Sequence, residues 1–572
     1  MKDKLGLRLV GWGEQGGGYI DQTIGGVTYK NVNDQHVYGG RLTLLFKPSD
    51  ALTLTAGVTY QHVAVDGSQA WFAVSPLDGV TPLHPYQNLS PTREPYRDRY
   101  TLAYLNANYD VGIGSLLAAF SYGNKYNFQP EDSTPTAFGF GLPWPTSYVP
   151  FIRYHDYTGE LRFTSSWSGP LQLVAGAYYQ QDQTYFNSNA IISGSDGVTP
   201  CYTIASCQAA GLYEPGNNFG PVQNSVILYG ADDLKRTNQY AVYAQADYHI
   251  LENLTATAGI RYFNARVHES ADNTQDIAPG AGDGGCAFVT GCLTTPYQTF
   301  DGKASESKTT YNFALLWKPT TEISLYARAA SGFRIGGINT SYYSAVQFGD
   351  NTVPLTYQPD SLWDYEVGAK AYFFDRKLFV DLSYYHINWT NQQVEAESQG
   401  AFGYTLNAGK TSTDGIELDG TLKPITGLTV SGSITYVDAT LAEDLPADVA
   451  AAGTPGYKGD RVPFVPKWNA TAQAEYEAPI TSTISAYGQV DMTYRSDTAT
   501  GFNSGDNYYA VLPSYTLWDL RLGVRWANYD ASVFVQNVGD KAAYVGLDAQ
   551  QDGLRVFSPR PRTIGVKLSA GF

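Results

Sequence analysis

The stretch "WDLRLGVRW" (518–526) settles what kind of chain this is. Taken two residues at a time, one face carries Trp518, Leu520, Leu522, Val524 and Trp526. The other carries Asp519, Arg521, Gly523 and Arg525. A period of two is the signature of a β-strand. An apolar row with an aromatic ring at each end suits a bilayer, where such rings sit at the two interfaces. The charged row needs water or polar partners, because an Arg turned to the hydrocarbon midplane costs about 2–4 kcal/mol. The same division recurs in 363–373, where Trp363, Tyr365, Val367 and Phe373 alternate with Asp364, Glu366 and Lys370. In 240–248, Tyr240 and Tyr248 bracket Val242, Ala244 and Ala246.

Alternation bounded by turn residues predicts about 20 strands. They fall near 4–13, 36–47, 51–63, 96–109, 114–126, 153–167, 170–186, 235–250, 252–267, 306–318, 321–333, 361–374, 377–390, 411–423, 427–439, 466–478, 482–495, 513–526, 528–538 and 560–572. Most reach the ~9–11 residues that a tilted strand needs to cross a bilayer. Connections alternate between short and long. "KPSD" (47–50), "SGP" (168–170) and "DRK" (375–377) are short, whereas 14–35, 64–95, 187–234, 268–305 and 540–559 are long. Short periplasmic turns and long extracellular loops are the pattern of outer-membrane barrels. The expected fold is therefore all-β, a transmembrane antiparallel up-and-down β-barrel with both termini periplasmic. No water in hydrocarbon satisfies an open edge, so such a sheet is expected to close.

Composition agrees. Charged residues make up 16% and aromatic residues 14% of the 572, with 58 Gly and 45 Tyr. No apolar stretch reaches the ~18 residues of a spanning helix. The net charge of −17 argues against a nucleic-acid partner. The four Cys form two local pairs, and disulfides Cys201–Cys207 and Cys286–Cys292 are expected in irregular segments outside a reducing compartment. No His lies beside either pair, which weakens the metal reading. None of the seven His sits in a dense carboxylate cluster, and no P-loop, G-x-S-x-G or Rossmann fingerprint occurs. No catalytic residue, cofactor or metal is expected. Arg261, Arg328 and Arg521 are expected on the lumen side, either attracting an anionic ligand or pairing with neighbouring carboxylates, the second being favoured.

The closing strand "RTIGVKLSAGF" ends on Phe572, which reads as the signal that barrel-assembly machinery recognises. Together with "LGLRLVGWGEQGGGYID" (5–21), "SGFRIGGIN" (331–339), "GDRVPFVPKWNATAQAEY" (459–476) and "FVQNVGDKAAY" (534–544), in that order before the closing strand, it makes this sequence resemble the TonB-dependent outer-membrane receptor family. It implies a 22-strand barrel preceded by a plug domain, a short TonB-contacting box and a signal peptide. Residues 1–572 therefore read as the barrel domain, with the plug and the first two strands missing. It also implies active uptake of a large scarce nutrient, a ferric siderophore above all, driven through TonB by way of the plug. The expected partners are outer-membrane lipid, the TonB system and the nutrient, for a monomer. Two rival readings are a passive unplugged pore and a soluble multi-sandwich adhesin or lectin.

Overall fold

The computed structural model describes residues 4–75, 81–134, 145–192, 227–275, 298–342, 351, 353–397, 403–407, 409–447, 449, 455–506, 509–550 and 553–571. Cys201, Cys207, Cys286, Cys292 and Phe572 lie outside these residues.

Among the described residues, twenty long strands follow one another. They are β1 (Leu5–Gly16), β2 (Gln35–Phe46), β3 (Leu52–Val65), β4 (Tyr96–Asp110) and β5 (Gly114–Phe128). β6 (Thr146–Ser165), β7 (Leu171–Ile192), β8 (Ile227–Leu251), β9 (Leu254–Gln275) and β10 (Gln298–Trp317) follow. Then come β11 (Ile323–Arg334), β12 (Asp360–Phe373), β13 (Leu378–Thr390), β14 (Lys410–Leu422) and β15 (Leu428–Leu441). β16 (Trp468–Pro479), β17 (Ile484–Arg495), β18 (Tyr515–Trp526), β19 (Tyr529–Gln536) and β20 (Thr563–Ala570) complete the series. Each pairs antiparallel with the next, in nineteen ladders. Every expected strand is present. β6 to β10 run several residues further toward the long connections than alternation alone indicated.

Short turns and long connections alternate strictly along the chain. Several of the short turns bend through left-handed backbone. Phe374, Asp375 and Arg376 have φ of 55°, 54° and 63°, and Gly112 has φ of 80°. The outward face is the apolar one. Leu520 and Leu522 are exposed, as are Trp518 and Trp526 at the ends of their row. The inward face is polar and carries a recurring pair, a tyrosine ring laid over a glycine of the neighbouring strand. A Cβ on Gly368 would come within 2.4 Å of the Tyr326 ring, and one on Gly415 within 2.1 Å of the Tyr385 ring. Gly176 with Tyr243 and Gly523 with Tyr487 repeat the arrangement. These contacts account for part of the high Gly and Tyr content, since any larger residue would push the ring off the wall.

The series of ladders stays open at one place. No ladder joins β1 to β20 among the described residues. Their outward residues are correspondingly bare: Leu9 is 77% exposed against 40% for Leu42 opposite it, and Val566 68% against 52% for Val533. A neighbouring strand covers the flank of each interior row, and these two rows have one neighbour instead of two.

Candidate functional site

The long connections fold into structure at one end of the barrel. Nearest the seam, three of them interlock. Residues 70–72 pair with 553–557, which pair in turn with 546–550, so that Val556 lies opposite Trp71. Trp71, Leu512, Leu547 and Val556 form a buried apolar cluster. Beside it, Arg555 makes an ion pair with Glu94 at 2.9 Å, both nearly fully buried. Arg555 also donates to the carbonyl of Asp132 at 3.0 Å, and the Asp132 amide donates to Glu94 at 3.0 Å. Thr134 and Thr92 donate to the Asp132 carboxylate at 2.7 and 3.1 Å. Burial pushes Asp132 up to about 7, with the Glu94 charge adding to it and the threonine hydroxyls and Arg555 opposing. Arg560 then reaches across the seam, donating to the Gly17 carbonyl at 3.0 Å and to Gln35 at 3.4 Å. Trp71 donates to Ser558 Oγ at 2.8 Å. The loop end of the seam is thus held by a clasp of side chains and short strands.

Further round the rim, "SGFRIGGIN" (331–339) organises a second group of loops. Arg334 donates to Asp360 at 2.7 and 2.5 Å and lies 4.7 Å over the Trp389 ring. Gly336 donates to Glu306 at 3.0 Å, in a space where a Cβ would meet the Tyr357 carbonyl. Asn339 ties the 335–359 and 391–409 connections together through Pro354 and Thr405. Val353, Leu406, Leu441, Leu445 and Val449 pack beneath. In "FVQNVGDKAAY" the Asn537 amide donates to Asp519 at 2.8 Å, and its side chain donates to the Lys541 and Arg560 carbonyls.

The lumen wall carries three charged networks. On β6 to β9, Gln180 donates to Asp156 and Asp182, at 3.0 and 2.9 Å. Tyr243 donates to Glu160, which also faces Arg162 at 3.5 Å. On β11 to β13, Tyr326 donates to Glu366 and Lys370 pairs with Asp381 at 2.6 Å. Toward the short-turn end, Arg525 pairs with Glu475, Glu477 and Asp530, and lies 3.9 Å over the Tyr487 ring. Beyond the membrane-spanning part of β8 and β9, burial and the neighbouring Glu269 raise Asp233 to about 7, while Lys235 opposes this.

The three arginines singled out by alternation all take the inward parity, and they are not brought together. Arg261 lies 5.4 Å over Tyr178 and 5.7 Å over Tyr243. Arg328 donates to Asn312 at 3.3 Å and faces Glu366 at 3.9 Å. Arg521 stands on β18, seven strands beyond Arg328, between Gln489 and Phe534 in register. Sequence reading missed the buried Arg555–Glu94 pair, the clasp and Arg525 as a hub. Arg525 was visible on the charged face of 518–526; its acidic partners become its neighbours only through strand register. A hollow between β10 and β13, lined by Phe313, Leu315, Ala327, Ala329 and Val367, lies on the outward face and is not part of the lumen.

Residues 75–538 match the TonB dependent receptor-like β-barrel family. The chain is 22% identical over 433 residues to the probable TonB-dependent siderophore receptor PiuA of Acinetobacter baumannii, covering 73% of this chain and 53% of that one. Over 190 residues it is 27% identical to the ferrichrome outer membrane transporter/phage receptor of Escherichia coli, covering 32% and 23%. In structure it resembles the ferric yersiniabactin uptake receptor FyuA of Yersinia pestis, with a TM-score of 0.75, 14% identity, and coverage of 100% of this chain and 76% of that one. The chain spans about half the length of the curated relatives that it matches over most of its own residues. Matched over most of its length and built of the same ladder of strands, this chain belongs to the TonB-dependent receptor family and forms a β-barrel of that kind.

Proposed function

We propose that this barrel is the transmembrane part of an outer-membrane receptor that takes up a large scarce nutrient, a ferric siderophore first among the candidates. The observation that carries the reading is the division of labour between the two ends. One end has tight left-handed turns, and the other has interlocked loops stacked over a charged lumen. The loop end faces outside and the short-turn end faces the periplasm, so that β1 starts and β20 ends on the periplasmic side. Relatives described as receptors for siderophores support the ligand class. A lumen walled by twenty strands is wide enough to need a plug. That plug, with its contact to TonB, belongs to polypeptide outside these residues. Two further strands between β1 and β20 would cover the bare rows of Leu9 and Val566, and the finished barrel acts as a monomer. Its role is transport, not catalysis.

The test is genetic and isotopic. Deleting the gene is expected to abolish energy-dependent uptake of one ⁵⁵Fe-labelled siderophore from a panel, with restoration by the full-length gene. Unchanged uptake of every siderophore, together with a defect for another large nutrient, would replace the ligand class and leave the receptor in place.

A further inference from the structure

The polar inner face of the wall is not evenly charged. Along β4 to β13 the inward lysines and arginines are nearly all held. Lys125 pairs with Asp98 at 3.2 Å, Arg162 with Glu160 at 3.5 Å and Lys235 with Glu269 at 3.6 Å. Arg328 faces Glu366 at 3.9 Å, Lys370 meets Asp381 at 2.6 Å, and Arg334 is taken by Asp360. Arg261 lies over the rings of Tyr178 and Tyr243. Among the described residues of this arc, Lys308 is the one inward cation with neither an acid nor a ring against it.

Several acids of the same arc have no such partner. Asp156 on β6 and Asp182 on β7 stand directly opposite each other in register, both on the inward parity. One neutral amide, that of Gln180, serves the two carboxylates, at 3.0 and 2.9 Å. The Glu306 carboxylate accepts from the Gly336 amide at 3.0 Å, again a donor without net charge. Asp364, inward on β12, has no lysine or arginine within ion-pair distance among the described residues. Asp156 and Asp364 adjoin Tyr157 and Tyr365, exposed outward rings on the loop side of the apolar rows, so these acids stand at the loop end of the lumen. The other arc is the reverse. There Arg8, Arg41 and Lys567, inward on β1, β2 and β20 beside the seam, have no acid within ion-pair distance among the described residues. Uncompensated charge of one sign on a wall of low dielectric focuses its field into the lumen, and the chain's net charge of −17 adds to it at long range.

We propose that the loop end of the β6–β12 wall, with Asp156, Asp182, Glu306 and Asp364, selects a ferric chelate that carries positive charge, with a protonated amine of the chelate lying against the Asp156–Asp182 pair. This rests on the receptor reading above and narrows its ligand class. A cation between two facing carboxylates relieves their mutual repulsion, which the Gln180 amide offsets in part. An anionic chelate, such as a ferric tricatecholate, meets like charge on this wall. The arginines and lysines that could neutralise it there are, Lys308 apart, already committed to acids or rings.

The test uses the full-length protein in a non-ionic detergent and three ferric complexes of one linear trihydroxamate, read by isothermal titration calorimetry. The three differ at one end: a free amine, which is cationic; its acetylated form, which is neutral; and its succinylated form, which is anionic. Affinity is expected to fall in that order, by roughly tenfold for each unit of charge. Salt at about 1 M, where the Debye length is about 3 Å, should shrink the difference. Asp156→Asn/Asp182→Asn is expected to bring the three affinities close together. Asp50→Asn/Glu252→Gln, an equal change of net charge at the short turns, is expected to keep the wild-type order. Retained heat-modifiable migration in a denaturing gel shows that each variant barrel is folded. Equal binding of the three forms, a reversed order, or no binding of any of them overturns the proposal. So does a preference that survives intact in the folded Asp156/Asp182 variant. Uptake in cells separates this from the receptor reading. Uptake of an anionic chelate alone, lost on deletion of the gene, removes the charge preference and leaves the receptor. The expected order of binding with no uptake lost on deletion removes the receptor and leaves the preference.

Discussion

At the scale of single residues, the loop end depends on a few buried charges. Glu94 is matched by Arg555 in a space that excludes water. Removing one partner strands the other, which costs about 3–5 kcal/mol where both are buried. Arg555→Ala is therefore expected to release the clasp without unfolding the barrel. Limited proteolysis should show new cleavage within 66–95 and 537–562 while the strands stay intact; an unchanged digest would contradict this. Asp132 adds a pH dependence. Its ordinary value of 3.8 rises to about 7 through burial, so the folded clasp holds a proton that the open form gives up. The stabilisation is complete below about pH 4 and is lost as pH rises toward 7. Hydrogen exchange of the 70–72 and 553–557 amides, corrected for intrinsic rates, should be slower at pH 5.5 than at pH 8. Asp132→Asn should flatten that difference.

At the scale of strands, parity does most of the work. Because outward and inward residues alternate, neighbouring substitutions on β18 should have opposite consequences. Leu520→Arg puts a cation against hydrocarbon and should lower stability by about 2–4 kcal/mol. Arg521→Leu faces the lumen and should change it by less than about 1 kcal/mol. Denaturant unfolding in detergent or lipid distinguishes the two; equal effects would mean that the faces are misassigned. The same parity explains what could be read from sequence. Strands were legible wherever one face meets lipid, as in 518–526, because burial in a bilayer enforces strict alternation. The outer parts of β6 to β10 were not, since beyond the membrane both faces of the Asp232–Lys235 stretch meet polar surroundings and the pattern fades. The strands within the loops were invisible for another reason. Val556 finds Trp71 almost the whole chain away, and Arg525 finds Glu475 by register, so neither partnership leaves a local signature.

At the scale of the whole molecule, the seam between β1 and β20 and the charged lumen belong to one account. A barrel of this width, open to water, would be a large hole in the membrane unless other polypeptide fills it. The proposal that a plug does so, and that two strands complete the wall, makes the native protein electrically quiet. The measurement that tests this most directly is planar-bilayer conductance of the full-length protein extracted from its own membrane. The account predicts no large steady conductance, with channels appearing only when the plug is unfolded by denaturant. Large steady conductance from the untreated protein would contradict it, and would make the chain a passive pore.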